Sequence, residues 1–321
     1  MLTRRMLRIK AFKVLYASVE DRSMTLKGAE AGFAASCEAV RDLYLFMLSI
    51  ITALTDAESK RLEAGRRKFN PTEEDLSPND KFATNALARL LAEDPDFTKI
   101  IARKKLSWEQ YDVFIREVSD AVRSRKYFSD YMASPERSLK EDVALFKNIF
   151  EQEFEDSDAL AAILEELSIL WVDDLGFALC ACIKSLSAIA RTGRWTLPPL
   201  YHSDELLEAG KEADSDAVFS RRLLEGAFAG RERYFQMVFD SAKGWEKDRL
   251  FNTDLVLIAL GLAEAELFPD IPVKVTINEY VDISKYYSTP KSSSFVNGLL
   301  DSLIVKLTEE GKIVKSQKGL N

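Results

Sequence analysis

The stretch IPVKVTINEYVDISKYYSTPKSSSFVNGLLDSL, from Ile271 to Leu303, predicts two helices separated by a tight break. Pro272 suits the first position of a helix, because its missing N–H has no partner there. Apolar residues then recur at helical spacing. Pro290 disfavours helix at the residue before it, and one of the serines at 292–294 can cap the next helix. Gly311 is the expected stop.

Gly298 interrupts the second of these helices. Glycine in a helix interior costs about 1 kcal/mol relative to alanine, so we expect a compensating contact. The sequence therefore predicts that another backbone or a ligand comes close to Gly298.

The remainder of the chain has the same periodicity. Its 13 glycines and 9 prolines lie mainly between long segments with apolar stripes, and strand-like alternation is nearly absent. A polar, proline-punctuated connection is predicted at 69–82. The fold class is all-α, with further helices predicted at 3–19, 34–68, 83–92, 107–132, 139–154, 158–190, 216–243 and 250–267.

Composition limits the class of protein. Hydrophobic residues make up 47% of the 321 residues and charged residues 30%, which suits a soluble globular chain. No apolar run reaches the ~18 residues needed to span a bilayer, and no signal peptide is recognised, so we expect a cytoplasmic protein without membrane contact. Three cysteines cannot pair off within one chain, and the single His202 excludes a two-histidine metal site. No metal or cofactor is predicted.

No catalytic motif is present. The sequence contains neither a glycine-rich phosphate loop nor a GxSxG elbow, and carboxylate pairs such as Glu73-Glu74 are typical of solvated helix faces. We therefore do not expect an enzyme.

The first helix is locally basic although the formal net charge of the chain is −8. Five basic and no acidic residues occur in the first nineteen positions. Arg4, Arg5 and Arg8 fall within roughly a third of the helix circumference. This pattern indicates either a solvated basic face or a phosphate-binding patch, because arginine forks grip phosphate well.

Several segments together resemble the NusB family of bacterial transcription antitermination factors. They are RRMLRIKAFKVLYA, FSRRLLEGAFAGRERY, GWEKDRLFNTDLVLIALGLAEAEL and the opening stretch with its IPVKVTINE and FVNGLLD blocks. The resemblance covers the first helix and the chain from about residue 219 onward. It predicts three parts: a first bundle helix at 1–19, a helical insertion at 20–202, and the rest of the bundle with a basic tail at 203–321. The length is similar to that of the long Bacteroidetes-type forms.

The resemblance implies a helical bundle that binds the boxA element of ribosomal RNA leaders. It would act together with the ribosomal protein NusE and join RNA polymerase in an antitermination complex, catalysing no reaction. RNA-binding positions carried over from the family are Arg4, Arg5, Arg8 and Phe295, with Lys291 nearby. A base could stack on Phe295, although a core phenylalanine is an equal alternative.

Other positions carried over are Tyr16 and Asp254, which match residues that face the ribosomal partner in the family. Trp245 and Arg249 match a recurring pair that we interpret as structural. The sequence departs from the family's basic pattern at three positions, which are Met6, Ala259 and Ser294. Lysines 312, 315 and 318 of the tail could compensate. The alternatives are a NusB-like scaffold without RNA binding and the NusB-like domain of an RNA methyltransferase system.

Overall fold

The computed structural model describes residues 1–202, 216–241 and 251–320. Within them the chain is helical without strands, which confirms the all-α prediction. The described α-helices are α1 (Arg4–Glu20), α2 (Leu26–Arg66), α3 (Glu73–Leu76), α4 (Ala86–Glu93), α5 (Pro95–Lys104), α6 (Asp112–Ser124), α7 (Lys126–Ala133), α8 (Leu139–Gln152), α9 (Asp158–Leu167), α10 (Leu175–Thr192), α11 (Asp216–Ser241), α12 (Asn252–Leu267), α13 (Val273–Tyr287) and α14 (Ser292–Glu309).

Two compact units divide the chain. The first contains residues 1–37 and 200–321, and the second contains residues 38–199. The division at residue 37 falls inside α2. The second unit thus begins 18 residues later than the predicted insertion at 20–202, and residues 20–37 pack with the first unit.

The first unit is built around α12. Every residue from 254 to 265 is buried, as expected of a helix covered on all sides. Helices α1, α11, α13 and α14 pack against it. A Cβ built at Gly261 would lie only 2.7 Å from a methyl carbon of Leu300, so α12 and α14 approach closely at this glycine.

The helix ends of this unit follow local chemistry. Thr3 caps α1, because its hydroxyl accepts a hydrogen bond from the Met6 N–H at 3.3 Å. Gly311 has φ of 71°, in the left-handed region that favours glycine, and follows α14 as predicted. Pro272 immediately precedes α13 and does not form its first turn.

The expected serine cap at the start of α14 is wrong. Lys291 holds the cap position and makes no side-chain cap, while the Ser292 hydroxyl points away to donate to Asp254. Gly298 is exposed, and no described atom lies within 4 Å of a Cβ built on it. The glycine therefore marks no close approach of another described backbone.

The second unit has an aromatic core. The Trp108 ring stacks on Phe46 with ring centroids 4.0 Å apart, and its indole N–H donates to the Phe46 carbonyl at 3.1 Å. The indole N–H of Trp195 donates to the buried Tyr44 hydroxyl at 3.0 Å. Because Trp108 and Trp195 each have an acceptor for the indole N–H, these two tryptophans fix the packing of α2.

Backbone breaks divide two of the long predicted helices. The segment predicted at 107–132 is interrupted at Arg125, which is extended between α6 and α7. The segment at 158–190 is interrupted at Ser168, also extended, which ends α9 before a short 3-10 turn. The connection at 69–82 contains the capped helix α3. Helix α5, which Asp94 caps ahead of Pro95, was not predicted from the sequence.

Helix α10 bears on the expectation that no segment spans a membrane, although Lys184 and Arg191 interrupt its apolar residues. Its 18 residues have a mean hydropathy of 1.4, which satisfies the length and composition of a spanning helix. Core helices of soluble proteins meet the same criterion. One face of α10, including Cys182 and Leu186, is buried, and the helix packs on α8.

Candidate nucleic-acid interface

The first turn of α1 brings Arg4 and Arg5 to the surface of the first unit. Arg4 Nε donates to a carboxylate oxygen of Asp216 at 3.2 Å, and its guanidinium lies 5.1 Å from the centroid of the Phe219 ring. This arginine links α1 to the start of α11. Its side chain is 36% exposed, so one side still faces solvent.

Arg5 is held between two carboxylates of α13. Its guanidinium donates to both oxygens of Glu279, at 3.0 and 3.1 Å, and to Asp282 at 2.9 Å. The hydrogen bonds to Glu279 raise the pKa of Arg5. The side chain is nevertheless 44% exposed, so its partners are open to competition from water and anions.

Arg8 belongs to the core of the unit. It is 4% exposed and makes a bidentate ion pair with the fully buried Glu264 of α12, at 2.7 and 2.8 Å. Thr276 and Tyr280 donate their hydroxyls to the same carboxylate at 2.9 and 3.0 Å. The predicted phosphate contact from Arg8 therefore does not fit this arrangement, because its fork is already filled by a protein carboxylate.

Asp254 and the start of α14 form a buried corner. Asp254 is 1% exposed, and its two oxygens accept hydrogen bonds from the hydroxyls of Ser288, at 2.7 Å, and Ser292, at 2.9 Å. Burial raises the pKa of Asp254, and these two hydrogen bonds oppose that rise. The predicted partner-facing role therefore conflicts with the geometry, which makes Asp254 a positioning residue for the turn between α13 and α14.

Phe295 and Lys291 differ in accessibility. Phe295 is 9% exposed and belongs to the core, which favours the alternative of a core phenylalanine over a stacking platform. Lys291 is exposed at the cap position of α14.

Tyr16 lies at the opposite end of α1 from Arg4. It is half-buried, and the charge of Glu20 one turn further along raises its pKa, with a hydrogen bond to the same carboxylate adding to the rise. Glu20 also accepts from the Asn252 side chain at 2.9 Å. The end of α1 and the start of α12 thus share one polar cluster beside Tyr16.

The predicted RNA-facing residues lie on α1 and at the start of α14. Helices α1 and α13 run side by side in the same direction, because Arg5 pairs with Glu279 while Phe12 packs on Tyr287 with ring centroids 5.3 Å apart. From Arg5 to Phe12 the helix advances about 10 Å. Lys291 follows Tyr287 in the chain, so it lies toward the Phe12 end of the contact between α1 and α13.

Tyr286 is an exposed aromatic residue that was not predicted as a site residue from the sequence. It is 83% exposed near the end of α13, between the levels of Arg5 and Lys291. An exposed aromatic ring offers a stacking surface that the buried Phe295 lacks. The sequence did contain a sign of this exposure. Tyr286 and Tyr287 are adjacent in a helical pattern, so only one of the two rings can face the core.

The departures from the family's basic pattern fall at sites of different exposure. Met6 and Ala259 are buried, whereas Ser294 is exposed. Lys315 of the tail is half-buried and donates to the carbonyls of Ala265 and Phe268 at 2.9 Å each. Burial lowers the pKa of Lys315. It therefore anchors the tail to the end of α12, where the helix dipole favours a cation, and is not a free compensating charge.

Trp245 and Arg249 lie outside the described residues. Among the residues that the structure does describe, no group of three or more His, Cys, Asp or Glu side chains is placed to hold a metal ion.

Helices packed around a buried α12, with an arginine-bearing α1 on one side, define a helical-bundle protein. A sequence model of the NusB family matches residues 196–304. The chain belongs to the NusB family. The matched range begins beyond nearly all of the second compact unit and does not include α1.

Similar curated proteins carry the name transcription antitermination protein NusB. The protein from Myxococcus xanthus is 40% identical over 103 residues, covering 32% of this chain and 74% of that protein. The protein from Salinibacter ruber is 31% identical over 109 residues, covering 34% of this chain and 68% of that protein. The protein from Chloroherpeton thalassium is 43% identical over 79 residues, covering 25% of this chain and 37% of that protein. No solved structure matches.

Proposed function

We propose that this protein is a cytoplasmic transcription antitermination factor that binds a boxA-like RNA together with the ribosomal protein NusE and joins RNA polymerase. The observation that carries the proposal is the family match over 196–304, which contains α11, α12, α13 and most of α14. The role is binding and not catalysis.

The proposed RNA contacts lie on the face shared by α1 and α13. Arg4 and Arg5 supply phosphate forks at one end, Lys291 supplies a charge toward the other, and Tyr286 supplies a ring for one base. Arg8 and Phe295 support this face from the core. A phosphate can bind the Arg5 guanidinium only by displacing the carboxylates of Glu279 and Asp282. The strength of these two pairs therefore limits the affinity of Arg5 for phosphate.

The test is titration of a boxA-like single-stranded RNA with the full chain across a salt series. Arg5→Ala should weaken binding and flatten the slope of log affinity against log salt by about 0.7, the contribution of one phosphate contact. Tyr286→Ala should cost about 1–3 kcal/mol with little change in slope, since stacking is not ionic. Arg221→Ala is the matched control, because Arg221 is an exposed arginine of α11 that pairs with Glu225.

Unchanged affinity and slope for both Arg5→Ala and Tyr286→Ala would place RNA elsewhere. If Arg221→Ala weakened RNA binding as much as Arg5→Ala does, the effect would reflect the overall charge of the protein and not a local contact.

The proposed ribosomal partner contacts the Tyr16 end of α1. Tyr16→Asp introduces a second negative charge beside Glu20 and should weaken association with the ribosomal protein, while RNA binding by the chain alone stays unchanged. Calorimetry with the purified partner measures this effect. The same partner affinity in Tyr16→Asp and the wild type would refute the placement.

A further inference from the structure

The second compact unit carries a long acidic stretch. From residue 148 to residue 183 the sequence has no lysine or arginine and nine acidic residues. Seven of the nine are exposed, namely Glu151, Glu155, Asp156, Asp158, Glu165, Glu166 and Asp173. Within the stretch itself no cation offsets these carboxylates, so its own charge is negative and attracts cations.

Apolar side chains are exposed in the middle of this stretch. Ile169 is 72% exposed, and Leu167, Leu170 and Val172 are between 38% and 48% exposed. Four exposed aliphatic side chains within six residues make a patch and not a scatter of single residues. We call this patch with Glu165, Glu166 and Asp173 the 165–173 surface.

The backbone explains why these side chains face outward. Ser168 is extended, with φ of −164°, and its hydroxyl accepts from the Leu170 N–H at 3.3 Å to begin the 3-10 turn. Trp171 then turns inward and stacks on Phe46 with ring centroids 5.5 Å apart. Because Trp171 packs in the core, its neighbours Leu170 and Val172 face the surface.

A cavity of about 220 Å³ lies beside this surface. Phe46, Leu106, Leu167 and Trp171 give it apolar walls, and Lys105, Ser107, Glu109 and Gln110 complete the lining. Its position next to Leu167 suits the anchoring side chain of a bound segment, since hot-spot residues fill such pockets.

We propose that the 165–173 surface docks a basic amphipathic helix of a protein partner. An apolar patch takes the apolar face of such a helix, and the carboxylates around it pair with lysines and arginines on the flanks. RNA and anionic lipid are repelled by the same carboxylates. A second copy of the chain would bring two acidic surfaces together in a symmetric contact, which is unfavourable.

The test uses the full chain and a defined probe. The probe is a helical peptide of leucine and lysine with one continuous leucine face. The control peptide has the same composition, but its leucines are spread around the helix. Fluorescence anisotropy should show micromolar binding of the first peptide and much weaker binding of the second.

Paired variants locate the contact. Ile169→Ser/Val172→Ser should weaken binding by about tenfold or more, since both side chains lose burial in the complex. Glu165→Gln/Glu166→Gln should weaken binding severalfold at low salt and reduce its salt dependence. Val113→Ser/Glu117→Gln is the matched control, because both residues are exposed on α6 of the same unit, and it should stay within about twofold of wild type.

Several outcomes overturn the proposal. Equal binding of the two peptides would show simple charge adsorption, and absence of binding at millimolar peptide would show that no helix docks. Variants that bind as wild type would place the contact elsewhere. Sedimentation showing a dimer that Ile169→Ser/Val172→Ser converts to monomer would identify a self-interface. Circular dichroism confirms that each variant keeps its helix content.

Discussion

Replacing Arg8 by methionine tests whether this arginine is part of the bundle core or of an RNA surface. The substitution keeps much of the apolar stem and removes the fork that binds Glu264 at 2.7 and 2.8 Å. Glu264 would remain fully buried, with only the hydroxyls of Thr276 and Tyr280 as donors. Breaking a buried pair in this way costs about 3–5 kcal/mol.

The loss of stability in Arg8→Met shows whether Arg8 is part of the bundle core. Whole domains are stable by about 5–15 kcal/mol, so the substitution should remove a large part of the stability of the first unit. Hydrogen exchange measured by mass spectrometry on the full chain reports this locally, through peptides from α1 and α12. Arg5→Met is the control and should cost under about 1 kcal/mol, because the Arg5 pairs are half exposed.

A second substitution separates loss of the charge pair from loss of packing. Glu264→Gln removes the buried charge, and its amide oxygen can accept from one of the Thr276 and Tyr280 hydroxyls while its NH2 donates to the other. The double variant Arg8→Met/Glu264→Gln should therefore regain about 1–3 kcal/mol relative to Arg8→Met alone. A loss below about 1 kcal/mol in Arg8→Met, or no recovery in the double variant, would refute the assignment of Arg8 to the core.

Two further predictions concern the same unit. Gly298→Ala should stabilise it by up to about 1 kcal/mol in thermal denaturation, because the position is open and helical. Gly261→Ala should instead destabilise by about 1–3 kcal/mol through the clash with Leu300, and the same sign for both would contradict the helix packing. The raised pKa of Asp254 means that its ionised form costs stability in the folded state. Wild type should therefore lose stability relative to Asp254→Asn as the pH rises from about 4 to about 7, and a constant difference in urea denaturation would count against this.

The helices could be predicted from the sequence because their signals are local. Apolar residues at 3.6-residue spacing, Pro272 and Gly311 predict helices at 272–287 and 292–310, and the bounds of α13 and α14 differ from these by one residue at most. The breaks inside long helical patterns were missed because they depend on tertiary packing. Arg125 is extended where α6 gives way to α7, and no proline or glycine marks that break.

The site could be predicted only in part, because its pairs are distant in sequence. Arg8 and Glu264 are 256 positions apart, and no periodicity relates them. One signal was present nonetheless. Glu264 stands in the otherwise apolar LVLIALGLAEA run, and a carboxylate inside a helix buried on all sides must find a cationic or hydrogen-bonding partner.

The partners of the three arginines determine which of them can bind RNA. Each already pairs with a carboxylate of the chain, so a count of basic residues overstates the positive field of α1. Exchange of Glu279 for a phosphate at Arg5 costs little, because exposed ion pairs contribute about 0–1 kcal/mol. The same exchange at Arg8 would leave Glu264 as an uncompensated buried charge, at about 3–5 kcal/mol. One phosphate contact does not offset that cost, and so Arg5 can change partners while Arg8 cannot.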